Sequence, residues 1–216
     1  MSTESTVFVV DDDASMRESL CFLLQSVGLP CRTFSTAEEF LASYEASEPG
    51  CVVLDLRMPG MGGLALQDEL NQRGVTIPII FITAYGEVST AVRALKRGAV
   101  EFLEKPFDDQ TLVDQVKEAL TLDLQQREAD GRRARAVALL ERLSPRQQQV
   151  MDLIVEGKSN KVIADVLNIR EKTVEVHRAQ LMRKLKVSTV AALLQLAHDA
   201  QLPTGKPLAA YRKSPN

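Results

Sequence analysis

The sequence predicts two domains of different class: an α/β domain with a doubly wound parallel sheet of five βα units, then a smaller all-α domain of four helices. Three observations carry this. The first half holds four short apolar runs rich in β-branched residues: Val7-Phe8-Val9-Val10, Cys51-Val52-Val53-Leu54, Ile79-Ile80-Phe81-Ile82 and residues 100–103. Runs that are continuous rather than alternating belong to strands buried on both faces, the condition of a parallel sheet. The second half is instead punctuated by helix-start and helix-stop residues. Charge also reverses between the halves: residues 1–122 hold 9 Lys+Arg against 19 Asp+Glu, and residues 123–216 hold 17 against 10. Such an asymmetry points to two domains, the basic one facing a polyanion.

Each apolar run of the first half ends on a polar group. The first delivers Asp11, Asp12 and Asp13, the second Asp55, the third Thr83, and the fourth leads into Lys105-Pro106. Ligands of open parallel sheets sit outside the carboxyl ends of the strands. The carboxylates of Asp11, Asp12 and Asp55, a hydroxyl and an ammonium are therefore expected at one sheet edge. Between the strands, Gly28, Gly74 and Gly98 each follow an amphipathic stretch, as C-terminal caps do. Ser35-Thr36-Ala37-Glu38 reads as a capping box before Phe40 and Leu41.

Residues 120–142 are rich in Gln, Arg, Glu, Ala and Leu and contain no Pro, so a helical linker is expected over 123–142, with Gly131 its weak point. The composition fits equally a lever between domains and a plain extension of the preceding helix. Ser144, Pro145 and Gln147 then open the second domain as N-cap, first helical residue and capping-box partner. Gly157 ends that helix, Ser159 caps the next and Asn168 turns the chain. A third helix is expected over 172–185, and a fourth from Ser188 to near His198. Residues 200–216 form a tail without periodicity that is expected to be disordered.

Short helix, turn, longer helix is the arrangement of a helix-turn-helix reader. In the long helix Val174, His177, Leu181 and Leu185 make the buried stripe; Glu175, Arg178, Ala179 and Met182 lie opposite, with Lys172, Arg183 and Lys184 at the edges. A helix in the major groove needs this division. From Lys158 to Lys186 there are eight basic residues against three acidic ones. Charge alone would fit a solvated bundle equally well.

The first half resembles the receiver domain of two-component response regulators. The resemblance rests on Asp11-Asp12, on Leu54-Asp55-Leu56-Arg57-Met58-Pro59-Gly60, on Thr83-Ala84 and on Lys105-Pro106-Phe107. It covers residues 6–122 and implies a flavodoxin-like (βα)5 fold. Met61-Gly62-Gly63 departs from the family, which often has an Asp before the last Gly. Residues 143–199 resemble the LuxR-type DNA-binding domain of the NarL/FixJ response regulators. Here the matches are Leu143-Ser144-Pro145-Arg146, Gly157-Lys158-Ser159-Asn160-Lys161 with Ile163-Ala164, Thr173-Val174-Glu175-Val176-His177-Arg178 and Arg183-Lys184-Leu185. Gln147 stands where a Glu is usual, Arg170-Glu171 where Ser-Pro is common, and Gln180 for a frequent Asn.

Two carboxylates ~4 Å apart repel by about 4 kcal/mol at an effective dielectric near 20. Several together call for a cation, and Mg2+ prefers hard oxygen ligands. The resemblance implies Mg2+ held by Asp12 and Asp55 directly, by Asp11 through water and by the Arg57 carbonyl. It implies Asp55 as acceptor of a phosphoryl group from a sensor histidine kinase, with Thr83 and Lys105 on the phosphoryl oxygens. Phe102 is the aromatic that would turn in the switch, Lys105–Pro106 would be cis, and Val92 and Lys96 would face a partner in a phosphorylated homodimer. In the basic half, base contacts are expected from Glu175, Arg178 and Ala179 on double-stranded DNA. Asn160, Lys161, Lys172, Thr173, Val176, His177 and Lys184 complete the DNA-facing set. RNA polymerase is a candidate further partner.

The resemblance implies a switch, not an enzyme. Phosphohydrolases of the haloacid dehalogenase type place an acid–base Asp two residues after their nucleophile, and here that position is Arg57, which cannot serve. A small-molecule sensor would need an apolar pocket where this edge carries charge. Both histidines, His177 and His198, lie in the basic half, so no phosphohistidine relay within the chain is expected. No basic flank precedes an apolar core at the N-terminus, and no stretch approaches the ~20 apolar residues of a membrane span. Cys21, Cys31 and Cys51 lack metal-ligand spacing and read as free thiols of a cytoplasmic protein.

Overall fold

Thr6–Val10 (β1), Cys31–Phe34 (β2), Gly50–Asp55 (β3), Ile79–Thr83 (β4) and Glu101–Glu104 (β5) form one all-parallel sheet in the order β2-β1-β3-β4-β5. These elements come from a computed structural model that describes residues 5–84 and 88–200. The helices between and after the strands are Ala14–Ser26 (α1), Ala37–Ser43 (α2), Gly63–Gln72 (α3), Val88–Lys96 (α4) and Asp109–Leu140 (α5). The chain divides into two units, Met1–Gln126 and Arg127–Asn216.

The apolar runs are continuous because each strand feeds two cores in alternation. Phe8, Val10, Val52, Leu54, Ile79 and Phe81 join one cluster with Phe40, Leu66 and Leu70 of α2 and α3. Val7, Val9, Cys51, Val53, Ile80 and Ile82 join the other with Leu20 and Leu24 of α1 and Leu112 and Val116 of α5. The strand missing from the four runs is β2. It lies at the sheet edge, where Arg32 and Thr33 are exposed and the apolar run is broken.

Gly28, Gly74 and Gly98 take positive φ of 80°, 69° and 94° after α1, α3 and α4, as their capping role requires. The capping box of α2 sits one residue later than expected. Thr36 is the N-cap and accepts from the Glu39 N–H at 3.1 Å, while the Glu39 carboxylate returns to the N–H and hydroxyl of Ser35 at 2.8 and 2.9 Å. Three side-chain bonds tie α3 to the end of α4: Gln67 donates to the Ala94 carbonyl, Asn71 to the Arg97 carbonyl, and Arg97 pairs with Asp68 at 2.6 Å. At the far end of β3, the Gly50 N–H donates at 2.9 Å to Asp123, an α5 carboxylate that is 3% exposed. A side chain at Gly50 would collide with the Thr6 carbonyl on β1.

In the second unit, Pro145–Val155 (α6), Asn160–Leu167 (α7), Glu171–Leu185 (α8) and Val190–Asp199 (α9) enclose Leu143, Val150, Met151, Ile154, Ile163, Val174, Leu181, Leu185 and Leu193. The capping box of Ser144 and Gln147 is formed, and Ser159 caps α7. Asn168 turns the chain with a φ of 50°. Helix α8 starts at Glu171 from Arg170, which makes no side-chain cap. Thr189, not Ser188, opens α9, because its hydroxyl reaches the Ala192 N–H at 3.1 Å. Gly131 does not interrupt α5. The expected tail after residue 200 lies outside the described residues. Among the described residues no helix is long and apolar enough to cross a membrane.

Candidate functional site

The carboxyl ends of β1, β3 and β4 carry Asp11, Asp55 and Thr83, which are 1%, 6% and 1% exposed. Lys105 follows β5, and its Nζ donates to Asp11 Oδ2 at 2.8 Å and to Asp55 Oδ1 at 3.0 Å. The backbone fixes the other oxygens: Asp11 Oδ1 accepts from the Asp13 N–H at 2.8 Å, and Asp55 Oδ2 from the Arg57 N–H at 2.9 Å. Asp13 is meanwhile occupied as the N-cap of α1. Lys105 is placed through its own N–H, which donates to the Thr83 carbonyl at 2.7 Å, and its bond to Pro106 is cis.

Burial pushes the Asp55 carboxyl above its usual range, and the charge of Asp11 adds to the rise against the opposing pull of Lys105 and the Arg57 N–H. Burial also works against the Lys105 ammonium, but hydrogen bonds and charge from Asp11 and Asp55 outweigh it and hold its pKa above the ordinary lysine value. The edge is a buried ion triad with one cation for two carboxylates.

The sequence placed three carboxylates together; the structure joins two. Asp12 is exposed and outside the triad, and among the described residues no three His, Cys, Asp or Glu side chains are close enough to cage a metal. The donors nevertheless suit a hard cation. They are carboxylate oxygens with no sulfur or imidazole among them, and the raised Asp55 pKa marks a negative charge short of compensation. Phe102 is half-buried, with its ring centroid 6.4 Å from that of Phe81. On α4, Val92 and Leu95 are each 43% exposed and Lys96 is exposed.

On α8 the apolar stripe is formed by Val174, Leu181 and Leu185, with His177 half-buried beside it. His177 Nδ1 is buried without a hydrogen-bond partner among the described residues. Glu175, Val176 and Ala179 are exposed, as are Lys161 on α7 and Lys172 on α8, while Asn160 and Thr173 are half-buried. Lys172 pairs with Glu175 at 3.0 Å, and Arg178 donates to Asn160 at 3.0 Å, linking the two helices of the motif. Met182 departs from expectation. It is half-buried and packs on the core, because its helical position lies nearer the apolar stripe than the outer face. Lys184, expected at the helix edge and in the DNA-facing set, is anchored to the start of α6 through Gln147 and to the Arg142 carbonyl. Sequence reasoning missed that anchor and the Asp123–Gly50 tie. The capping-box spacing gave Gln147 a local role but could not show a partner 37 residues away.

An acidic sheet edge of this geometry followed by a helix-turn-helix unit is the layout of a receiver joined to a DNA-binding domain. Family models agree: the response regulator receiver domain matches residues 7–117, and the bacterial regulatory proteins of the luxR family match residues 141–197. The chain belongs to the two-component response regulators of the NarL/FixJ type, with a receiver and a LuxR-type DNA-binding domain. It is 44% identical to the transcriptional regulatory protein TdiR of Thauera aromatica, over 88% of this chain and 84% of that protein. It is 45% identical to nodulation protein W of Bradyrhizobium diazoefficiens, over 91% and 86%. Among solved structures, the response regulator StyR is 46% identical with a TM-score of 0.81, covering 90% of this chain and 98% of that one. Full-length FixJ from B. japonicum is 38% identical with a TM-score of 0.57, covering 93% and 99%.

Proposed function

We propose that Asp55 accepts a phosphoryl group from the phosphohistidine of a sensor histidine kinase, and that this modification drives dimerisation and DNA binding. The observation that carries the reading is the Lys105 ammonium bridging Asp11 and Asp55 at the carboxyl edge of the sheet. An Asp55 oxygen attacks phosphorus as the bond to the kinase imidazole breaks, and the ammonium is already placed to meet the charge gathering on the phosphoryl oxygens. Asp12 and Asp55 directly, Asp11 through water and the Arg57 carbonyl would hold Mg2+, which would supply further charge neutralisation. Thr83 donates its hydroxyl to a phosphoryl oxygen.

Moving a population from 1:99 to 99:1 takes about 5.5 kcal/mol. One hydrogen bond from Thr83 to a charged acceptor gives about 1.5–3 kcal/mol, so it is insufficient alone. Lys105 contacts, the turning of Phe102 toward Thr83 and a dimer interface on α4 with Val92 and Lys96 supply the remainder. The DNA-binding set is the one expected from sequence: Asn160 and Lys161 on α7, and Lys172, Thr173, Glu175, Val176, His177, Arg178, Ala179 and Lys184 on α8. Residues 6–122 act as receiver, 123–142 as linker and 143–199 as DNA reader, with RNA polymerase as a further partner, in the cytoplasm and without catalytic turnover of its own. A DNA-binding assay with and without a small-molecule phosphodonor and Mg2+, on wild type and Asp55→Asn, tests this. Phosphodonor should tighten binding by the wild type alone; equal tightening in the variant would refute it.

A further inference from the structure

The Gln147 side chain, 3% exposed, is a meeting point of three groups at the junction of α6 and α8. Its Oε1 accepts from the Ser144 N–H at 3.1 Å and from Lys184 Nζ at 2.9 Å, and its Nε2 donates to Gln180 Oε1 at 3.2 Å. The amide has only one orientation that works. A backbone N–H and an ammonium are donors only, so the end facing them must be oxygen, and the nitrogen end must find the acceptor on Gln180. Two of the positions at which the sequence departs from its family, Gln147 and Gln180, thus form one network with Lys184.

Lys184 has a second acceptor, the Arg142 carbonyl at 3.2 Å. Both acceptors are neutral, and among the described residues no carboxylate lies within ion-pairing distance of Lys184. Lysines elsewhere on the same motif are treated otherwise: Lys172 spends its charge on Glu175. An ammonium has three donors. Two hold Lys184 against the start of α6, and the third remains, with the whole charge, on an exposed residue at the flank of the recognition helix.

We propose that Gln147 is a positioning residue for DNA binding, whose neutral amide anchors Lys184 without cancelling its charge, so that Lys184 presents a full positive charge to a backbone phosphate of duplex DNA. An acidic residue at this position would accept the same two donors and convert the anchor into an ion pair. The side chain would still be held, but releasing its charge to a phosphate would mean breaking that pair. The inference rests on the DNA-facing placement of α8 proposed above.

The test is the salt dependence of binding by the full-length protein to a short mixed-sequence duplex, between about 50 and 200 mM salt, where each neutralised phosphate contributes about 0.9 to the log–log slope. Gln147→Glu should make the slope shallower by about one unit and weaken binding several-fold at the upper end of that range. Gln147→Ala, which removes the anchor but adds no charge, should keep the wild-type slope, whereas a merely structural role for Gln147 would move both variants alike. Lys184→Ala should reproduce the Gln147→Glu slope, and adding Gln147→Glu to it should change the slope no further. An unchanged slope in Gln147→Glu, or an equal drop in the Lys184→Ala background, overturns the inference. If Gln147→Glu does not fold, Lys184→Ala decides, since an unchanged slope there overturns it as well. Wild type that shows no salt-dependent binding would instead overturn the placement of α8 on DNA.

Discussion

Lys105 holds its ammonium 3.0 Å from the carboxylate of Asp55, fifty residues earlier in the chain, because β5 and β3 end on the same edge of one parallel sheet. The pair makes Asp55 a carboxylate whose charge is partly compensated before any phosphoryl group arrives. It also makes Asp55 the residue on which a single substitution is most informative.

A small-molecule phosphodonor should label Asp55 in a Mg2+-dependent manner. Mass spectrometry should find one added phosphoryl group in the wild type and none in Asp55→Asn or in the presence of chelator. Labelling indifferent to chelator would remove Mg2+ from the site.

The raised Asp55 pKa sets a direction for stability. Ionising this carboxyl inside the fold costs more than in the unfolded chain, where its pKa is near 3.8. The cost is absent below that value, grows as pH rises above it and is complete once pH passes the folded pKa. Asp55→Asn should therefore melt higher than wild type at pH 7, with the advantage shrinking as pH falls toward 4. The raised Lys105 pKa works the other way: its contribution is whole below about 10.5 and is lost as pH climbs through the folded value. A variant that melts lower at pH 7 would show that Lys105 attraction outweighs burial.

Gly63 opens α3 close against Asp55. An added Cβ there would sit 2.5 Å from the Asp55 carbonyl oxygen and 3.0 Å from the Phe81 ring. Gly63→Ala should cost about 1–3 kcal/mol in denaturant unfolding, in the range of core overpacking, and slow labelling of Asp55. Wild-type labelling kinetics in a destabilised variant would mean that the strand end relaxes without disturbing the carboxylate.

On α8, Lys172→Ala should weaken binding to every duplex and make its salt slope shallower, by less than Lys184→Ala because Lys172 is paired with Glu175. Glu175→Ala should instead change preference among half-sites, since a carboxylate there can accept from a cytosine amino group. Competition with a randomised duplex pool would read both. Unchanged ranking in Glu175→Ala would place another face of α8 in the groove.

Reversing charge with Lys96→Glu should lower phosphorylation-dependent self-association and DNA affinity together while leaving Asp55 labelling intact. Sedimentation alongside a binding assay tests it. The three ties from α3 to the end of α4 keep the helix in place in the variant. A phosphorylated monomer that binds DNA as tightly as wild type would make dimerisation dispensable.

The strands at the centre of the sheet were legible because burial on both faces leaves an unbroken apolar run, as in Val52-Val53-Leu54. Edge strand β2 was not, because Arg32 and Thr33 face solvent. Asp11, Asp55, Thr83 and Lys105 could be gathered at one edge from order and spacing, since a parallel sheet sends all strand ends the same way. That Asp12 stands apart from the triad could not, because neighbours along the chain at a strand end point in different directions. The displaced caps at Thr36 and Thr189 show a smaller limit. Adjacent Ser and Thr offer equivalent hydroxyls, and only the backbone path selects between them.

The bond between Asp123 and the Gly50 N–H also bears on where the receiver can be severed. A fragment ended at Leu122 would keep every strand and the whole acidic edge, yet it would leave the Gly50 N–H buried without that carboxylate. Because β3 runs from Gly50 to Asp55, the defect would enter at the base of the very strand that carries Asp55. Asp123, the first residue of the proposed linker, is thus a piece of the receiver's foundation and falls in the same unit as the sheet. The first turn of that stretch is shared property, and a swap of output domains onto this receiver has to begin beyond it.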